Sequence, residues 1–149
     1  MKTQIINNKI LLLFVSSLLM GIAQYPLSIN TGYIAWFGLI PFIHVIFNDK
    51  DIKKSLLHSF IWGFLYHIFV VFWLSQNIGT SKISAFISML LAIFVLCTNT
   101  IIIVAIWNRI KKYNKRISLF LFPFIWVSIE YVRTYGILGF PWVSIANTQ

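Results

Sequence analysis

Between Ile10 and Asn48 the chain carries no Lys, Arg, Asp or Glu, and this uncharged run restricts the available folds more than any other feature. As a single helix it would be about twice as long as the hydrocarbon core of a bilayer is thick, so it has to turn back. Tyr25-Pro26 and Asn30-Thr31-Gly32 supply the turn, with proline and glycine to break a helix and polar side chains to meet water. The bias extends to the whole chain: 59% of the 149 residues are hydrophobic and 10% are charged. A soluble domain of this length buries only about 70% of its surface. The remaining apolar side chains therefore call for lipid.

The sequence predicts an all-α fold, a polytopic transmembrane helix bundle of about five spans that forms one membrane module over residues 1–149. Helices are predicted over about 10–24, 29–47, 56–74, 83–107 and 117–135, followed by an outer-face tail over 136–149. The runs Leu56 to Leu74 and Ile83 to Trp107 each exceed the roughly 18 apolar residues that argue for a span. The fifth run is purely apolar only from Ile117 to Ile129, so it reaches across only if Glu130 and Arg133 lie at the membrane surface. Pro41 and Pro123 fall inside helices two and five, where kinks are expected. Membrane helices accept proline when neighbours satisfy the freed carbonyl. On helix four, Ser84, Ser88 and Ala92 recur every four residues and make a smooth face for close helix packing.

A net charge of +9 would suit nucleic acid. Here the basic residues sit in short loops between apolar runs, which is a topology signal, and no nucleic-acid partner is expected. Lys2, Lys9, Lys50, Lys53, Lys54, Arg109, Lys111, Lys112, Lys115 and Arg116 fall on one side and only Lys82 and Arg133 on the other. Ten against two places the amino terminus in the cytoplasm and the tail outside. One rival remains for the first helix: Lys2 and Lys9, the stretch Ile10 to Met20 and Gly21-Ile22-Ala23 also fit a cleaved signal peptide. Cleavage would remove one span and leave the sidedness of the others unchanged.

No catalytic set can be assembled from side chains at one membrane depth. His44, His58 and His67 lie on helices two and three without a carboxylate at ligand spacing, so neither a metal nor another cofactor is expected. Cys97 lies deep in an apolar run and reads as a small buried hydrophobe. Glu130 and Arg133 carry more information, because residues three apart share a helix face and can pair, and an ionisable residue in a membrane segment is a functional candidate. After them, Tyr135 to Trp142 holds two glycines, a proline and three aromatics. That composition reads as a turn and an aromatic anchor at the outer headgroup level, or as a wall of an acyl-chain site.

The run Trp126-Val127-Ser128-Ile129-Glu130-Tyr131-Val132-Arg133, with Gly136 and Leu138-Gly139-Phe140-Pro141-Trp142 after it, resembles the signature of the bacterial apolipoprotein N-acyltransferases. Gln24-Tyr25-Pro26, Gly38-Leu39-Ile40-Pro41 and Trp62-Gly63-Phe64 with Trp73 resemble earlier parts of the same family in the same order. The resemblance implies an inner-membrane, multi-pass enzyme that moves a fatty acyl group from a phospholipid to the amino terminus of the diacylglyceryl cysteine of a lipoprotein. In the family this proceeds through a cysteine thioester, with a glutamate base and a lysine, on a nitrilase-like outer domain that is not within these 149 residues. The expectation is a truncated module, a fragment or half of a split protein, inactive alone, with the missing domain in cis or in trans. No catalytic residue is assigned. Glu130, Arg133, Phe140, Pro141, Trp142 and Trp73 are the candidate substrate-binding residues, and the partners are the phospholipid donor, the lipoprotein and the bilayer. The alternatives are a small transporter or channel subunit and a non-catalytic membrane scaffold. Transporters place ionisable groups near the midplane, whereas the charges here cluster at the ends.

Overall fold

Apolar runs without breakers satisfy their backbone groups most readily within themselves, and this chain forms helices wherever such runs occur. The computed structural model describes residues 2–24, 31–135 and 145, with side chains from Asn8 onward. The helices are α1 (Lys2–Gln24), α2 (Ala35–Gly38), α3 (Ile40–Asn48), α4 (Ile52–Val71), α5 (Lys82–Tyr113) and α6 (Lys115–Arg133). Short 3₁₀ turns cover Gly32–Ile34 and Phe72–Gln76. Only Leu39 separates α2 from α3, so the described residues make five helical rods and contain no strand.

Two rods, Ile52–Gln76 and Lys82–Tyr113, are long and apolar enough to cross a membrane, while Asn8–Gln24 and Gly32–Asn48 are apolar but shorter. The expected helix boundaries shift most at the basic ends. α1 begins at Lys2 and α5 runs on to Tyr113, because Lys and Arg are good helix formers and Lys111 and Lys112 complement the dipole of the last turn. A single residue, Asn114, then turns the chain. Its extended backbone ends α5, and its side chain accepts from the amides of Arg116 and Ile117 to start α6.

The two prolines act differently. At Pro41 the rod breaks: α2 stops at Gly38, and the proline takes a first-turn position of α3, where its missing N–H has no partner to lose. Pro123 instead sits inside an unbroken α6. The expected packing role of the Ser84, Ser88 and Ala92 stripe is not seen within the chain. Ser84 and Ser88 are exposed, and α5 buries the adjacent stripe of Ala85, Met89, Ile93 and Leu96.

Small residues set how closely the rods approach. A Cβ on Gly63 of α4 would stand 3.0 Å from Thr100 Oγ1 on α5, and one on Gly21 of α1 would stand 2.8 Å from Phe69 Cβ on α4. Aromatic rings fill the centre. Trp62 stacks between Phe42 and Tyr66 at 4.5 and 4.9 Å between ring centroids, and Trp126 packs edge-on against it at 5.8 Å. Through this cluster runs a polar relay: Trp62 Nε1 donates to Ser16 Oγ at 2.9 Å, and Ser16 Oγ donates to the Gly38 carbonyl at 2.6 Å. The relay joins α4, α1 and the broken second rod.

The start of α1, the end of α3, the start of α4 and the end of α5 meet at one end of the bundle. Lys9 Nζ and His58 Nδ1 reach the two oxygens of Asp49 at 2.6 and 2.7 Å. His58, which has no carboxylate at ligand spacing in the sequence, meets one in space. Asp49 is nine positions away in sequence, and the α3–α4 turn folds it back. Lys111 Nζ donates to the carbonyls of Ile46, Phe47 and Asp49, capping the end of α3. Asn108 Nδ2 donates to Ser55 Oγ.

Ser16→Ala strands both the Trp62 N–H and the Gly38 carbonyl. It should cost about 2–4 kcal/mol in a detergent melt, whereas Ser88→Ala on the exposed face should cost less than about 0.5 kcal/mol. Burial pushes the Asp49 carboxyl up, but the hydrogen bonds and charges of His58 and Lys9 outweigh it and hold the carboxyl below its ordinary 3.8. A depressed carboxyl stabilises the fold above its unfolded value and loses that contribution as pH falls through the folded one. Melts between pH 5 and pH 2 should therefore show stability falling as acid is added, a dependence that Asp49→Asn abolishes.

Candidate functional site

At the opposite end of the bundle the last turns of α1, α4 and α6 converge on the middle of α5. Gln24 Nε2 donates to Tyr66 Oη at 3.1 Å. Tyr66, His67, Asn99, Thr100, Glu130 and Arg133 line a small pocket of about 10 Å³, room for a single water. His67 is buried, and its Nδ1–H donates to the Gly63 carbonyl at 2.6 Å, which fixes the ring with Nε2 as the remaining nitrogen. Glu130 Oε1 accepts from the Ile145 amide at 3.2 Å, tying the carboxylate to the chain beyond α6.

Beside the pocket lies a larger, apolar groove of about 450 Å³. One wall is Trp36, Leu39, Ile40 and Ile43 of the second rod; the other is Leu119, Phe122, Pro123 and Val127 of α6. Glu130 and Trp126 line both spaces, so a charged group stands where the groove meets the polar pocket. Trp126 Nε1 is buried with no acceptor among the described residues. A stranded buried donor costs roughly 1–3 kcal/mol, which a ligand oxygen in the groove would recover. The arrangement suits a molecule with a hydrocarbon part and a polar or charged head.

Of the residues singled out in the sequence, Glu130 and Arg133 come together in one pocket, as their spacing of three implies. Trp73 sits in the 3₁₀ turn after α4, 46% exposed, and lines neither space. Phe140, Pro141 and Trp142 lie outside the described residues, as does the rest of the tail apart from Ile145, and so do Tyr25, Pro26 and Asn30 of the first turn. Tyr66, His67, Asn99, Thr100 and Trp126 went unassigned in the sequence. Each is a side chain with a polar atom inside an apolar run, and sequence alone does not show that the runs turn these positions toward one pocket. Cys97 is buried, its Sγ 3.6 Å from where a Cβ on Gly63 would stand. Among the described residues no three of His, Cys, Asp and Glu gather as metal ligands.

Residues 16–149 match the model of the apolipoprotein N-acyltransferase N-terminal domain. The chain belongs to this family. An apolipoprotein N-acyltransferase of Geobacter metallireducens is 25% identical over 119 residues, covering 78% of this chain and 23% of that protein. The Haemophilus influenzae enzyme of the same name is 28% identical over 142 residues, covering 84% and 26%, and the Pasteurella multocida one 25% identical over 122 residues, covering 79% and 22%. The chain thus spans about a quarter of the length of these relatives. No solved structure matches. The segments that carry the family resemblance, scattered along the sequence, meet in space. Gly38, Trp62, Gly63 and Trp126 all belong to or abut the aromatic core beneath the groove.

The Glu130 bond to Ile145 is testable directly. Glu130→Ala should speed hydrogen exchange at the Ile145 amide about tenfold, the loss of roughly 1.5 kcal/mol, while the amides of α4 keep their protection.

Proposed function

We propose that this chain is the amino-terminal membrane module of an apolipoprotein N-acyltransferase, crossing the bacterial inner membrane five times with its amino terminus in the cytoplasm. The observation that carries this reading is the apolar outer surface, where Trp36, Phe120 and Ile83 are 72%, 70% and 73% exposed while Ser16, Ser59 and Ser118 are fully buried. An exposed apolar surface of this extent suits an apolar surrounding. Most of its cations support the same orientation, since they collect at the lysine-rich end, while Glu130 and Arg133 stand level with the middle of α5. The 32 residues of α5 span about 48 Å, a little more than the roughly 40–45 Å of a bilayer with its headgroups.

On this reading the Glu130 and Arg133 pocket faces the outer surface, and the groove beside it receives an acyl chain of the phospholipid donor or of the diacylglyceryl lipoprotein. Arg133 then meets phosphate or carboxylate, Glu130 meets the amino terminus, and the Trp126 N–H meets an ester carbonyl. Phe140, Pro141, Trp142 and Trp73 complete the platform at the headgroup level. The transfer itself needs an accessible nucleophile, and Cys97 is buried within the packed helices. A nitrilase-like domain, in cis or in trans, therefore supplies the chemistry, and this module supplies lipid binding and position.

In a Cys97→Ser background, a cysteine at Thr80 should react with a membrane-impermeant maleimide from outside the inner membrane, and a cysteine at Asn114 only after permeabilisation. The opposite pattern would refute the orientation. In the enzyme assembled with its catalytic domain, Glu130→Gln should raise the KM for lipoprotein about tenfold with kcat little changed. An unchanged KM would remove Glu130 from the substrate site.

A further inference from the structure

We propose that a recess at the lysine-rich end of the bundle binds the phosphate headgroup of an anionic glycerophospholipid, in the leaflet opposite the Glu130 pocket. The assignment to a leaflet rests on the membrane reading above; the recess itself does not. It encloses about 920 Å³ between the α3–α4 connection, which brings Lys50, and the junction of α5 and α6, which brings Arg109, Lys112 and Lys115. None of these four cations has a hydrogen bond or ion pair with another described residue. The other charged groups lining the recess are already engaged. Asp49 is held by Lys9 and His58, the Asp51 carboxylate accepts the Lys53 amide at the start of α4, and Lys111 caps the end of α3.

Four cations without a side-chain partner, brought together from two separate connections and opposed only by the unpaired carboxylate of Asp51, attract a dianionic or monoanionic phosphate. What makes the ligand a lipid is the continuity below them. Phe47 lies in the recess, and Ile43, one turn earlier on the same face of α3, lines the apolar groove. Lys115 lies in the recess, and Leu119, one turn later on α6, lines the groove as well. On both α3 and α6 the recess therefore lies one helical turn from the far end of the groove. A phosphate among the lysines leaves its acyl chain lying between α3 and α6. A soluble phosphate would use the cations alone and leave the groove empty.

Native mass spectrometry of the purified chain in neutral detergent tests the proposal, with phosphatidylglycerol and phosphatidylcholine as probes and inorganic phosphate as competitor. Phosphatidylglycerol should bind at least about tenfold more tightly than phosphatidylcholine and survive millimolar phosphate. K50Q/K112Q/K115Q should weaken it roughly 100-fold, at about fivefold per cation near a lipid phosphate. K53Q/K54Q/R116Q, which removes as much charge outside the recess, should weaken it less than about threefold. Equal losses in the two variants would mean diffuse attraction and overturn the proposal. So would equal affinity for both lipids, or displacement by inorganic phosphate. Because binding is read in detergent, a failure of the maleimide labelling would sink the orientation and leave this result standing.

Discussion

The hydroxyl of Ser16 is the interaction on which the rest of the architecture depends. The second rod has to break ahead of Pro41, and a broken rod leaves carbonyls without partners in its own ladder. In an apolar surrounding an unpaired carbonyl is costly, so α1 provides a donor at that height. The same oxygen then accepts from Trp62, which anchors α4 and orients the ring against Phe42 and Tyr66. One side chain thereby determines where α2 and α3 stand relative to α1 and α4. Since α2 and α3 form one wall of the groove, the groove's width follows from it too.

The two ends of the bundle are built from different polar chemistry. At the lysine-rich end the polar groups cap helices and hold a carboxylate between two bases, and four cations are left over at the surface. At the other end tyrosine, histidine, asparagine and threonine surround one carboxylate and one guanidinium in a space that admits a single water. Surplus charge suits a headgroup region, where counterions and lipid phosphates are plentiful. A compact, mixed polar pocket beside an apolar groove suits recognition of a particular polar head.

Much of the fold was legible because hydrophobic runs and breakers report directly on helices. The five rods and the sharing of one pocket by Glu130 and Arg133 follow from run length and spacing alone. Charge in the basic segment around Arg109 to Arg116 signals water as strongly as it signals a turn, and only Asn114 marks the reversal that ends α5 and starts α6. Asp49 with His58, and Tyr66 with Gln24, were beyond reach of the sequence. Each depends on which faces of two helices meet, and the hydrophobic pattern of an all-round apolar helix does not mark a face. The Ser84 stripe shows the same ambiguity, since small residues fit a packing face and an outer surface equally well until the neighbours are known.

Residues that identify a family need not be the residues that act, and this chain separates the two. Trp62 and Gly63 are recognisable, yet one is fully buried as a donor to Ser16 and the other lets Thr100 of α5 approach α4 closely. They hold the groove open without lining it. Trp126 stands between the categories: its ring packs against Trp62 and Phe42, and its N–H is left over beside Glu130. A substitution at Trp62 would disturb lipid recognition only by moving helices, and would do so alongside a loss of stability. A substitution that removes the Trp126 N–H while keeping an aromatic ring relieves a stranded donor, and so separates recognition from stability. The motif is thus a scaffold and a site written in one line of sequence, joined at one indole.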